Sequence, residues 1–277
     1  MVIDRIKKLR GEGYSYGEIS KIVDKSKKFI WKNSKDIGFS KNGEKRYHKE
    51  VKGIIKLIKP QTNFLSAPKI RIIGHVLFDG MLSKSKEYHK ITRYINSSKE
   101  NIDQFISDVM EVYDLKPTAL EVEKGLTFPI YKVSFSSKLM YEDLSKYIYS
   151  YSTANKIALP DVVLNSSQEL KLEFLKTFFD DEGSISRNGR IMADLKSKAI
   201  ISQIVMILEE FGLKFKQVSY KDYKGETYKV YLPKTKENLE LFFKLRLFDK
   251  AIVTHGTNAG RKKIDVLKEA CAKLKNP

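Results

Sequence analysis

Sulfur, tryptophan and acid are what this sequence is short of. One cysteine, Cys271, stands in 277 residues. That excludes an internal disulfide framework and a cysteine-rich zinc site, and it fits a reducing cytosol. The four histidines (His48, His75, His89 and His255) are scattered without metal-ligand spacing. No apolar run approaches the roughly 18 residues of a membrane span, and the N-terminus has no signal-peptide core. The chain is expected to be soluble and cytoplasmic, with no membrane partner. Acids number 34 against 52 Lys and Arg, a formal net charge of +18. An excess this large is more than solubility needs and favours a polyanionic partner, nucleic acid first. With 42% hydrophobic residues the chain can bury a core, and its length allows two domains or one with an appendage.

The basic excess is concentrated at the start. Residues 1–60 hold 17 Lys and Arg against 7 Asp and Glu. Ile3, Ile6 and Leu9 fall on one face of a first helix ended by Gly11 and Gly13. Ser15 and Glu18 have the spacing of a capping box, opening a second helix with Ile19, Ile22 and Val23 inward. After a turn at Asp24-Lys25, Ser26 suits the N-cap of a third helix carrying Phe29, Ile30 and Trp31. This order resembles a helix-turn-helix, whose last helix enters the DNA major groove. Lys27, Lys28, Lys32 and Lys35 would be its exposed contacts. A plain three-helix bundle is the alternative. Residues 41–65 look like a basic linker, with a helix around Val51–Ile58.

Two apolar helical runs, Arg71–Phe78 and Leu175–Asp181, each lead to an acid and then a glycine: Asp79-Gly80 and Glu182-Gly183. The glycine reads as a helix stop in the left-handed C′ conformation. An acid at a helix C-terminus faces the negative end of the dipole, and repetition of that unfavourable charge suggests a cation nearby. More of the chain repeats in order. Ser98-Lys99 and Ser197-Lys198 each open a helical pattern, and Lys124-Gly125 and Lys224-Gly225 each precede a Tyr-Lys-Val strand. Helical segments Tyr141–Tyr149 and Glu237–Leu245 follow. All equivalents lie about a hundred residues apart. Asn188-Gly189 marks a hairpin turn with both residues at positive φ, and Tyr88–Ile95 reads as a strand. The expected fold class is α+β, with two pseudo-symmetric αββαββα units behind a small all-α domain. The expected boundaries are 1–40, 41–65, 66–160 and 161–277.

These motifs and their spacing resemble the single-chain, two-motif LAGLIDADG homing endonucleases. The resemblance implies motif helices packed at the interface between units and four-stranded sheets forming a basic saddle over DNA. It implies that Asp79 and Glu182 bind Mg²⁺ or Mn²⁺ at the scissile phosphates, with a basic residue near each metal, here Lys156 and Lys250. Saddle contacts would come from Lys90, Arg93, Lys132, Arg187, Arg190 and Lys229. The departures are at the packing positions: Gly74 is small as the family requires, but Ile73, Phe78, Lys176, Thr177 and Asp181 are bulkier or charged. Phe78 and Asp181 are expected to point away from the axis.

The implied activity is metal-dependent, site-specific cleavage of double-stranded DNA by a monomer. The alternatives are a non-cleaving DNA-binding regulator on the same fold and an RNA-splicing helper. No protein-splicing segments flank the repeats, so the chain reads as free-standing rather than as an intein. The tail Thr254–Lys263 is glycine-rich and basic but lacks a P-loop ending, which argues against nucleotide binding. A helix over Ile264–Leu274 should close the chain.

Overall fold

The computed structural model of the chain describes residues 2–38, 40, 43, 64–85, 89–125, 127–148, 158–222 and 225–275. The chain forms two compact units, Met1–Pro60 and Gln61–Pro277.

In the N-terminal unit, α1 (Val2–Gly11), α2 (Tyr16–Val23) and α3 (Lys27–Ser34) each contribute one fully buried isoleucine, Ile6, Ile19 and Ile30. Caps define the boundaries. The Ser15 hydroxyl accepts from the Glu18 N–H at 3.2 Å while the Glu18 carboxylate accepts from the Ser15 N–H at 2.8 Å. Ser26 accepts from the Phe29 N–H at 3.2 Å. Each such cap is worth about 1 kcal/mol. Short helices bury little, and this sets the corrections. Ile3 and Ile22, expected inside, are 42% and 41% exposed, and Phe29 and Trp31 project from α3 into solvent. The helix expected around Val51–Ile58 lies outside the described residues.

The larger unit is α+β and doubled. Its first half runs α4 (Ala67–Phe78), β1 (Gly80–Ser85), β2 (His89–Asn96), α5 (Lys99–Tyr113), β3 (Ala119–Glu123), β4 (Ile130–Ser136) and α6 (Lys138–Leu144). The second half opens on a short α7 (Asp161–Leu164). It continues with α8 (Gln168–Asp181), β5 (Gly183–Ile185), β6 (Ile191–Leu195), α9 (Lys198–Glu210), β7 (Lys216–Asp222), β8 (Gly225–Leu232) and α10 (Lys236–Lys244). A final α11 (Lys263–Lys275) follows. Each half holds a four-stranded antiparallel sheet with the same topology, β1-β2-β4-β3 and β5-β6-β8-β7. Alternation places one face of each sheet on the core. Thr92, Tyr94, Val133 and Phe135 are buried in the first, and Ile191, Ala193, Leu195 and Val230 in the second.

Helices α4 and α8 pack against each other at the centre. Apart from Arg71, which is partly buried, α4 is buried from Pro68 to Phe78, and both of its lysine and arginine side chains are paired. Lys69 meets Asp143 at 2.8 Å, and Arg71 makes a two-pronged bond to Asp108 and reaches Glu173 on α8 at 2.6 Å. Gly74 lies directly against α8: a Cβ there would lie 1.9 Å from Thr177 Oγ1, which holds the same place in the second motif.

Several expectations change. The motif glycines are not in the left-handed region; Gly80 and Gly183 begin strands β1 and β5. They are small because a Cβ would meet backbone, at 2.5 Å from Val76 Cα and 2.4 Å from the Phe179 carbonyl oxygen. The hairpin at Asn188-Gly189 forms, but only Gly189 has positive φ. The Gly189 N–H donates to the Ser186 carbonyl and the Ser186 N–H to the Arg190 carbonyl, closing a three-residue loop in place of a two-residue one. The helix expected over Tyr141–Tyr149 is α6, which starts and ends earlier; Tyr141 and Tyr147 pack on the core, and Tyr149 lies outside the described residues. No helix among the described residues is long and apolar enough to cross a membrane.

Candidate active site and nucleic-acid face

Both motif acids sit where a helix becomes a strand. Asp79 is the C-cap of α4, its N–H donating to the His75 carbonyl at 3.1 Å. Glu182 is the C-cap of α8, its N–H donating to the Phe178 carbonyl at 2.9 Å. Because α4 and α8 lie side by side, the two acids line one cleft of about 440 Å³. Asn96, Asp180, Asp181, His255 and Lys263 line it as well. Two carboxylates at negative helix ends make a site of low potential that attracts a cation. Among the described residues, no group of three or more His, Cys, Asp or Glu side chains is arranged to hold a metal ion. The donor set is thus two carboxylates. It fits a hard cation that takes its other ligands from water and phosphate oxygens, and does not resemble a closed zinc site.

The residues beside the acids differ between the halves. Phe78 and Asp181 each precede the motif acid, and both cross the interface, against the expectation that they turn away. Phe78 packs on Phe174 and Phe178 of α8, with ring centroids 5.6 and 5.1 Å apart. Asp181 enters the first half, its side chain fully buried. It accepts from the Tyr94 hydroxyl at 2.7 Å and from Asn96 Nδ2 at 3.1 Å, and meets His75 Nδ1 at 2.8 Å. The second half carries Phe178, Ala193 and Leu195 at the places of His75, Tyr94 and Asn96, by the motif alignment and the strand register. One socket is polar and takes an acid; the other is apolar and takes a phenyl ring. Burial pushes the Asp181 carboxyl well above the usual range; the Tyr94 hydrogen bond opposes this and the charge of Asp180 adds to it. Burial also pulls the His75 imidazole down to about 4, so it is neutral at neutral pH.

Asp180 turns the other way. Its carboxylate accepts from the N–H groups of Asp249, Lys250 and Ala251 at 3.0, 3.2 and 3.3 Å, pinning the segment after α10. Lys263, the first residue of α11, is buried beneath α8 and donates to the carbonyls of Phe179 and Asp180 at 3.2 and 2.8 Å. Burial pulls its ammonium down, while the fields of Asp180, Asp181, Asp79 and Glu182 hold it up. Lys263 is therefore a cation built into the acid cluster. Sequence reading passed over it because it ends a run of three basic residues, Arg261-Lys262-Lys263, and nothing in the run marks which one is buried. Asn96 was passed over because a single asparagine has no pattern.

The other expected residues scatter. Lys250 is not among the cleft-lining residues, and its ammonium bonds Asp249 at 2.5 Å. Lys156 lies outside the described residues. Arg93 is on the sheet face away from the core and donates to Ser134 at 3.0 Å. Lys90 is on the opposite face, paired with Glu142 and 5.3 Å from the Tyr141 ring centre. Lys132 shares the Arg93 face but is paired with Glu123. In the second sheet Lys229 stands opposite Asp194 and 5.0 Å from the Tyr220 ring centre. The open sheet faces thus carry both signs of charge, where the resemblance implied a basic saddle. Arg187 and Arg190 are exposed at the hairpin loop, and Lys27, Lys28, Lys32 and Lys35 are exposed on and after α3.

Comparison with known proteins accords with this geometry. Residues 169–245 match the family model described as a LAGLIDADG-like domain. The crystal structure of I-DmoI in complex with DNA and Ca has a TM-score of 0.51 at 15% identity, over 73% of this chain and 97% of that one. The structure of I-DmoI with DNA and Mn has a TM-score of 0.50 at 15% identity, over 65% and 96%. The second half thus matches a LAGLIDADG-like domain, and the doubled fold of the larger unit is shared with I-DmoI. Curated relatives include a DNA polymerase of Thermococcus litoralis, 24% identical over 69% of this chain and 12% of that protein. Another is the DNA polymerase II large subunit of Thermococcus kodakarensis, 28% identical over 53% of this chain and 8% of that protein. The chain thus spans only about a tenth of the length of these curated relatives.

Proposed function

We propose that the protein is a metal-dependent endonuclease that cuts double-stranded DNA at a specific site and acts as a monomer. The observation that carries this is the meeting of Asp79 and Glu182, one acid from each half, in a single cleft at the ends of two packed helices. The structures of I-DmoI with DNA and with Mn or Ca share the fold and support DNA as partner and Mg²⁺ or Mn²⁺ as cofactor. Asp79 and Glu182 would hold the metal, which when bound polarises a phosphodiester and lowers the pKa of an attacking water. Lys263, by donating to the carbonyls of Phe179 and Asp180, would hold the last turn of α8, which ends at Glu182. Asp180, by gathering the N–H groups of 249–251, holds the cleft wall in place.

DNA contact divides by residue type. Arg93 on the first sheet, with Arg187 and Arg190 at the hairpin loop, has the planar fork suited to guanine or phosphate. Lys132 and Lys229, on the open faces and each beside an acid, suit phosphate once the local pairing is exchanged. The N-terminal unit reads as a helix-turn-helix whose α3 lysines add affinity. Lys250 and Lys156 stand as candidates for the basic residue near each metal.

The direct test is incubation with Mg²⁺ or Mn²⁺ and a pooled-site DNA library. Discrete double-strand breaks from the unsubstituted protein, lost in both Asp79→Asn and Glu182→Gln, are the expected result. Tight, salt-sensitive binding with no cut in either metal would replace this reading with that of a non-cleaving regulator, which the capped basic α3 would equally suit.

A further inference from the structure

The Asn96 side chain stands between two carboxylates from different halves of the protein. Its Nδ2 donates to Asp181 Oδ1 at 3.1 Å and to Asp79 Oδ2 at 3.3 Å. Its Oδ1 accepts from the Ser98 N–H at 2.8 Å, which fixes which end of the amide is nitrogen. A primary amide has two N–H bonds, so one to each carboxylate uses it fully. Asp181 is the rigid end of the chain of bonds: its side chain is 0% exposed and is held by Tyr94 and His75.

We propose that Asp181 is a positioning residue that acts across the interface: through the Asn96 amide, a side chain of the second half sets where the Asp79 carboxylate of the first half sits. This rests on the reading of Asp79 as a metal-binding acid. The arrangement is one-sided. At the place of Asn96 the second half has Leu195, which has no amide to offer Glu182, and at the place of Asp181 the first half has Phe78. A position that should be small for helix packing is thus given to an acid that couples the interface to one of the two motif carboxylates. Outer-shell partners of this kind change metal affinity by about 10–100-fold when removed. The coupling therefore belongs to Asp79 and not to Glu182.

The test measures Mn²⁺ binding to the full chain by electron paramagnetic resonance in two backgrounds, Glu182→Gln, which leaves Asp79, and Asp79→Asn, which leaves Glu182. Asn96→Ala and Asp181→Ala should each weaken Mn²⁺ binding about tenfold in the first background and leave the second nearly unchanged. The two together should do no more than either alone. Asp181→Asn keeps an oxygen for the Asn96 amide and should restore binding, which also controls for folding. Independently of metal, the Asn96 side-chain amide signal in ¹⁵N NMR should shift in both Asp79→Asn and Asp181→Ala. Equal loss in both backgrounds, or an Asn96 signal indifferent to Asp181→Ala, overturns the proposal. If the unsubstituted protein binds no Mn²⁺, the metal reading of Asp79 falls, and the amide response alone decides whether the link exists.

Discussion

A single residue position can break a molecular symmetry, and the position before each motif acid does so here. Phe78 finds phenyl rings across the interface and Asp181 finds a hydroxyl, an amide and an imidazole. A buried carboxylate is tolerated only where such partners exist, so the two halves cannot exchange these residues freely. The opposing pair Gly74 and Thr177 is also asymmetric, but for space and not polarity. Gly74→Ala should destabilise the protein by about 1–3 kcal/mol in urea unfolding, because the new methyl overlaps Thr177. Combination with Thr177→Ala should recover part of that loss, and strict additivity of the two would show that they do not touch.

At the scale of elements, α4 and α8 are joined by a charge as well as by packing. Arg71 of α4 spans Asp108 of α5 and Glu173 of α8. Burial alone would raise the Glu173 carboxyl, but hydrogen bonds from Lys176 and Arg71 outweigh it and hold the group below its ordinary 4.5. A carboxylate depressed in the folded state binds fewer protons there than in the unfolded chain, so stability rises with pH across that range. The contribution is complete above about 4.5 and is lost as pH falls through the folded value. Wild type should therefore exceed Glu173→Gln in stability at neutral pH, and the gap should close below about 4.5. A gap that persisted unchanged into acid would assign the difference to packing.

On the scale of the whole molecule, the charge is not where a basic saddle would put it. The open faces of both sheets mix Lys and Arg with Glu121, Glu123 and Asp194, whereas residues 1–60 hold 17 Lys and Arg against 7 acids. Sequence-independent affinity should then come largely from the N-terminal unit. Replacing Lys27, Lys28, Lys32 and Lys35 by alanine should weaken DNA binding on every sequence. It should also flatten the dependence of log K on log salt by about one for each phosphate no longer neutralised. The position of any cut should stay the same, since the cleft acids lie in the other unit. A salt dependence equal to wild type would remove α3 from the interface.

Sequence alone determined the repeat, the α+β class, the capped helices and the two acids before glycine, because these depend on local periodicity and on residues near in the chain. The glycines were legible but their expected reason was not the right one: Gly80 and Gly183 are needed for the close backbone of the helical turn just before them, at Val76 and Phe179, and not for a left-handed stop. Tertiary structure decided that Asp79 and Glu182 share a cleft, that Asp181 serves the opposite half, and that Lys263 is the buried member of three basic residues. It also decided which side of the first sheet meets the core, and so that Arg93 faces away from the core while Lys90 lies on the other face. The first two outcomes depend on which surfaces meet when the two halves pack together, and the others on which sheet face and which of three neighbouring cations the core covers; the local pattern of a segment carries no information about the surface that will cover it.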